Sequence, residues 1–189
     1  MVSVRILAVS AAFGLAALAV VLAGLTLPIP GTGVVTDPRE LFTTTGAALT
    51  GPVGGVLIGV LAGIREPTGG VFASILAHVS GGLWMGFAYK SLVHRSLRVP
   101  YSFLGWAFLV LVYYYVFVIP GFVIGQAVFY PGSFIESGGG GPSLLRAYTI
   151  LGWGANAPGL GALPEALLTA LVTTLALIAL PRGNRRPLW

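Results

Sequence analysis

The sequence contains no cysteine. Disulfides, thiolate metal sites and a cysteine nucleophile are therefore excluded. Histidine and methionine occur twice each, too few to furnish a haem or copper centre. Charge is scarce as well. Only 8% of the 189 residues are Asp, Glu, Lys or Arg, against about 25% in an ordinary soluble domain. A soluble fold could not cover its surface with so few charges, whereas a protein whose outside meets lipid has no such need. No GxSxG, HExxH, Walker A or paired-carboxylate pattern occurs, so neither an enzyme nor a bound cofactor or metal is expected. The excess of basic residues, +5 overall, suits membrane topology and anionic-lipid contact better than nucleic-acid binding.

What the chain has is hydrophobic length. Apolar residues make up 56% of it, and the mean hydropathy is +0.93. Uncharged runs long enough to cross a bilayer place membrane spans at about 6–27, 41–64, 68–90, 102–126 and 163–181. The expected fold is an all-α integral membrane protein, a single compact bundle of five transmembrane helices, with six the alternative. Arg5, the apolar run after it and the Ala-rich stretch Ala16–Ala23 have the outline of a signal peptide. The 22 uncharged residues from Ile6 to Leu27 suit a retained first span better. The stretch 129–162, with Gly138–Gly141, Pro142, Pro158, Gly159 and Gly161, reads as a lid, a re-entrant segment or a half-helix, or else as the extra span.

Lys and Arg gather on the cytoplasmic side of membrane proteins. Five spans with the N-terminus outside put Arg39, Lys90, Arg95, Arg98, Arg182, Arg185 and Arg186 inside and leave Arg5, Arg65 and Arg146 outside. Six spans give six against four. Either way the C-terminal tail is expected in the cytoplasm, in a multi-pass protein of the cell membrane.

Small residues recur at every fourth position: Gly51, Gly55, Gly59 and Gly63 in the second run, Ala8, Ala12 and Ala16 in the first, and Ala73, Ala77 and Gly81 in the third. Such stripes let helix backbones approach closely, which is how helices associate where lipid supplies no hydrophobic drive. The glycine zipper is expected to pack the bundle, and the alanine stripe is a candidate face for docking a membrane partner.

Ionisable residues inside a membrane are costly, so each needs a reason. His78 lies within the third run, with Ser74 one turn before it and Gly81 and Gly82 one turn after. Its imidazole either bonds a neighbouring helix or contacts a ligand. Glu165 opens the last run, where it either complements the helix dipole or faces a pocket. Arg65, Glu66, Gln126, Arg146, Asn156 and Glu165 all fall at one end of a five-span bundle, with His78 about 16 Å below that rim. His78, Arg65, Asn156 and Glu165 are the candidate ligand-binding residues, with Tyr114 and Trp153 as aromatic walls. In the polar loop before the second run, Asp37 suits a helix N-cap ahead of Pro38. Arg39 suits a lipid head-group anchor, and Glu40 follows it.

The pattern Arg39…Gly51-Pro52-Val53-Gly54-Gly55…Gly59…Ala62-Gly63-Ile64-Arg65…Gly69-Gly70 resembles the five-helix membrane input domain of LytS-type histidine kinases. The same pattern, the chain length and the Ala-rich first helix are similar to the S components of energy-coupling-factor (ECF) vitamin transporters. The resemblance covers residues 36–90. LytS-type proteins continue into cytoplasmic signalling domains, whereas S components are free-standing subunits that work with a transmembrane coupling subunit and ATPases. S components usually have six helices and cytoplasmic termini. The resemblance therefore implies a small-molecule-binding membrane subunit that captures a vitamin-like solute for transport, docking through its first helix. The alternatives are a stand-alone LytS-like sensor with a separate signalling partner, or a structural subunit of a membrane complex.

Overall fold

The computed structural model describes residues 3–28, 35–65, 70–93, 101–132, 143–153, 162–179 and 188–189. These residues are helical apart from short links and one two-residue antiparallel pairing, β1 (Leu27–Pro28) with β2 (Val35–Thr36). The helices are α1 (Val4–Leu22), α2 (Arg39–Gly63), α3 (Val71–Ala88, extended by a π-helical turn Tyr89–Val93), α4 (Tyr101–Val112), a π-helical stretch Tyr113–Val118, α5 (Ile119–Phe129), α6 (Leu144–Trp153) and α7 (Ala162–Ala179). Among the described residues, five segments are long and apolar enough, by length and composition, to cross a membrane: Val4–Leu22, Arg39–Gly63, Val71–Ser91, Phe103–Phe129 and Ala162–Ala179.

The second of these is not a straight rod. Gly51 adopts φ 79° and ψ −172°, in the left-handed region that favours glycine. Pro52 follows it, with no amide hydrogen to continue the helix. In a continuous helix Arg39 and Ala62 would stand about 34 Å apart. Instead the Arg39 guanidinium donates to the Ala62 carbonyl at 3.3 Å, and Gly46 lies against the Ile58 side chain. The chain reverses at Gly51, so 39–50 and 52–63 form the antiparallel arms of a helical hairpin, each about 18 Å long. The run expected as one span over 41–64 is thus folded at Gly51 and not straight. The reversal also moves Arg39 to the opposite end of the bundle from Lys90, the side it shares with Lys90 in the five-span reading.

Glycine sets how closely the hairpin meets α3. A Cβ on Gly55 would run into the Gly82 carbonyl, one on Gly59 into the His78 backbone, and one on Gly63 into the Ile75 backbone. Gly86 sits against Gly51 and Pro52 at the hairpin tip. The second arm and α3 are therefore antiparallel and in backbone contact along their length. The other face of α3 takes α5, where Gly125 rests on Ala73 and Gly121 on Ala77, while Gly81 faces Tyr113.

The remaining helices surround this pair. On α1 the buried positions are Ile6, Ser10, Gly14 and Ala17. Ser10 lies by Gly54 and Gly14 by Leu61, so α1 runs parallel to the second arm and starts at the Lys90 end. Ala8 and Ala12 point outward and Ala16 is half-buried. The segment α4–α5 returns antiparallel to α3, with Trp106 edge-on to Tyr89 at 5.4 Å and Phe129 beside Phe72 at 5.4 Å. Along α4 runs α7, also antiparallel, with the Trp106 indole donating to the Thr173 hydroxyl at 2.5 Å. The described part of 129–162 contains α6, a helix of 10 residues. It lies along α5 and is tied there by Tyr115 donating to the Gly152 carbonyl (2.9 Å) and Tyr148 donating to the Tyr115 carbonyl (3.0 Å).

The backbone contact between the second arm and α3 has a direct test. Gly55→Ala and Gly82→Ala are each expected to lower stability by about 1–3 kcal/mol through overpacking, measured by unfolding in detergent micelles. Gly132→Ala, with nothing within 4 Å of the added methyl, is expected to stay within about 0.5 kcal/mol of the parent. Equal effects at all three positions would contradict the contact.

Candidate functional site

The open end of the hairpin carries most of the buried charge. Asp37 accepts the Arg39 amide hydrogen at 2.9 Å and pairs with the Arg39 guanidinium at 3.0 Å. Pro38, not Asp37, occupies the N-cap position, so Asp37 holds the helix start from one residue further out than expected. Burial pushes the Asp37 carboxyl above the ordinary range, outweighing the attraction of Arg39. Arg39 is 9% exposed and does not reach outward to lipid head groups. Hairpin folding turns it back onto Ala62, whose carbonyl lies in the last turn of the second arm and has no partner within its own helix. Arg39 thereby ties the start of one arm to the end of the other.

Glu40, the next residue, is buried and joins three elements. Its Oε1 lies 2.9 Å from His78 Nε2. Its Oε2 accepts from the Thr43 hydroxyl at 2.7 Å and from the Tyr113 hydroxyl in a short hydrogen bond. On the far side of the imidazole, Nδ1 lies 2.7 Å from the Ser74 carbonyl. A carbonyl can only accept, so Nδ1 carries a hydrogen. One further proton must lie between Nε2 and the carboxylate, on the ring or on the acid. Either placement leaves the pair neutral as a unit, which is the condition for burying it at low cost. The same geometry bears on Ser74. Its hydroxyl is 3.3 Å from Nδ1, but that nitrogen already donates to the carbonyl and cannot serve as a base. Ser80 donates to the carbonyls of Ala77 and Phe117.

The π-helical stretch Tyr113–Val118 distributes its three tyrosines to different partners. Tyr113 goes to Glu40, and Tyr115 goes to Gly152 in α6. Tyr114 donates to Glu165 at 3.0 Å and lies 3.1 Å from the Thr169 hydroxyl, both in α7. The Tyr113 and Tyr114 rings meet edge to face at 5.4 Å. A line of polar groups thus runs from α3 through the hairpin and the π stretch to α7. Widened π turns are frequent at functional sites.

Among the candidates from sequence, the structure joins Tyr114 to Glu165 and connects His78 to them through Glu40 and Tyr113. Arg65 is exposed just beyond the hairpin, and Arg146 is exposed on α6. Gln126 is half-buried on α5. Trp153 closes α6, and Asn156 and Glu66 lie outside the described residues. Gly51, Gly55, Gly59 and Gly63 line the hairpin's contact with α3 and its tip. Sequence reasoning missed Glu40, Thr43 and Tyr113. The available signal was the Gly51-Pro52 pair, because only a reversal there brings Glu40 to His78. Among the described residues no group of three or more His, Asp or Glu is placed to hold a metal ion.

No protein-family model, curated protein or solved structure matches this chain.

Breaking a buried pair from one side strands a charge, whereas removing both partners does not. His78→Ala and Glu40→Ala are each expected to cost about 3–5 kcal/mol, and the double variant far less than their sum. A double-mutant cycle in micelles reads this coupling, and additive losses would contradict it.

Proposed function

We propose that the chain is the small-molecule-binding subunit of a membrane transporter, of the S-component type. The observation that carries this reading is the hairpin. With its two arms counted separately, the described residues form six rods besides the short α6: α1, the first arm, the second arm, α3, α4–α5 and α7. The start of α1 and the end of α7 then lie on the same side. That is the arrangement S components usually have, and it is the feature that a straight second span would deny. The charge pattern agrees. In sequence, Arg95 and Arg98 fall between Lys90 and α4, and Arg182, Arg185 and Arg186 follow α7, while Arg39, Arg65 and Arg146 fall in other parts of the chain, so this reading takes the Lys90 end as the cytoplasmic one.

The solute site, in this reading, is where helices are interrupted. The π stretch, the end of α6 and the start of α7 meet at Tyr114, Tyr115, Gly152 and Glu165, near the middle of the α4–α5 segment. Interrupted helices at mid-depth are where solute transporters build their sites, because helix ends there leave backbone and side-chain polar groups free to turn inward. Because α7 starts at this height, the outer half of the bundle beside α5 is closed by the short α6. Solute from outside would be gripped by the Glu165 carboxylate and the Tyr114 hydroxyl. The Glu40–His78 pair fixes Tyr113, and with it the adjoining ring. The work is binding and reorientation, with no covalent step. Energy would come from a coupling subunit and ATPases, since the sequence has no nucleotide-binding motif of its own.

Native mass spectrometry of the detergent-purified protein tests this. A bound adduct of defined small mass is expected, and Glu165→Ala and Tyr114→Phe are each expected to deplete it at least ten-fold, about 1.4 kcal/mol of affinity. A protein that emerges empty in every preparation, or an adduct untouched by both substitutions, contradicts the reading.

A further inference from the structure

The two ends of the hairpin are fastened by different means. At the open end the fastening is buried and belongs to the arms and helices themselves: Arg39 on Ala62, and Glu40 on His78 and Tyr113. At the tip a third segment, remote in sequence, does the joining. The first arm stops at Gly51, so the Leu49 carbonyl is one of the last-turn acceptors that its own helix cannot satisfy. The Leu188 amide donates to it at 2.8 Å. The Trp189 indole lies against Gly51, at a point where any Cβ would collide with the ring. Lys90, on the π-helical extension of α3, places its ammonium 4.5 Å from the centre of that indole and donates to the Trp189 carbonyl at 3.3 Å. Leu188 and Trp189 thus bridge the hairpin tip to the end of α3.

We propose that Leu188 and Trp189 form a releasable latch over the hairpin tip, and that the tip moves away from α3 when the latch lifts. Three features make the contact releasable. Trp189 is 36% exposed, and the Lys90 ammonium is exposed too. Water can replace Leu188 at the Leu49 carbonyl once the segment leaves. Beneath the indole, the Gly51–Pro52 backbone meets α3 at Gly86, beside the apolar cluster of Ala48, Leu49, Met85 and Tyr89, a contact that separates without stranding a buried charge. The polar network at the far end stays closed and acts as the hinge. The latch rests on the hairpin geometry and does not depend on the transport reading.

Hydrogen exchange followed by mass spectrometry, on the full chain in lipid nanodiscs, tests it. In Trp189→Ala, amides of residues 46–51 are expected to exchange roughly ten-fold faster, while those of 74–85 in α3 and 166–177 in α7 keep the parent rate. Leu188→Pro, which removes the donor to Leu49, is expected to do the same. Trp189→Phe, which keeps a ring on Gly51, is expected to restore most of the protection. Unchanged exchange at 46–51 in both Trp189→Ala and Leu188→Pro overturns the proposal. So does an acceleration spread evenly over α3 and α7, because that would make Trp189 a general stabiliser and not a local latch.

Discussion

Gly51 turns the chain through a backbone conformation with φ 79°, and Pro52 has no amide hydrogen with which to resume the helix just left. The polar interior follows from that reversal. Arg39 and Glu40 begin a helix whose partner arm ends at Ala62 and Gly63, so two residues that look like loop charges are carried into the bundle. In a straight helix Glu40 would stand clear of the Ile58–Ala62 turn and could not share a site with both His78 and Tyr113. The reversal also fixes which ends of the bundle coincide. Both arms open at the end where α3 begins, and the tip points to the end where α3 finishes.

The energetics match a lipid setting. Large apolar side chains such as Leu15, Phe87, Leu104, Phe108, Leu171 and Leu175 face outward, where lipid would meet them as readily as protein does. They therefore give the helices no reason to associate. Two other terms supply one. Glycines at 55, 59 and 63 bring the second arm into backbone contact with α3, where many small dispersion contacts add up. Buried hydrogen bonds then select one arrangement among the many that small-residue stripes would tolerate. The Glu40–His78–Tyr113 cluster is the strongest selector, because sliding either helix by one turn would leave a carboxylate and an imidazole unmatched in a medium that tolerates neither alone. Close packing without this cluster would be non-specific, and the cluster without close packing would be too far apart to form.

Much of this was legible in the residues, for a physical reason. The apolar runs of α1, α3, α4–α5 and α7 declare themselves because bilayer thickness sets a length and charge interrupts it. His78 and Glu165 stand out because ionisable groups are so rare here. The hairpin was harder to see. The run 41–64 has the length and the lack of charge of a span, and the four-step glycine pattern suits a straight helix as well as a folded one. Gly51-Pro52 was the break in plain view, but inside a glycine stripe one more glycine carries little weight. Glu40 was lost for the same reason, since its distance from His78 depends on the turn 11 residues after it. The alanine stripe of α1 was legible as a pattern, but not in its direction. Ser10 and Gly14 take the inward face, which turns Ala8 and Ala12 out.

The reversal at Gly51 is open to a direct distance measurement, and the lack of native cysteine makes it clean. Cysteines introduced at Leu41 and Ile64, near the two ends of α2, can carry nitroxide spin labels in nanodisc-embedded protein. Pulsed electron paramagnetic resonance then reads their separation. A hairpin brings the two sites to the same end of the bundle, and a distribution centred below about 20 Å is expected. A continuous helix holds them about 34 Å apart, and a distribution centred there would contradict the hairpin, the buried Glu40–His78 site and the six-rod arrangement together.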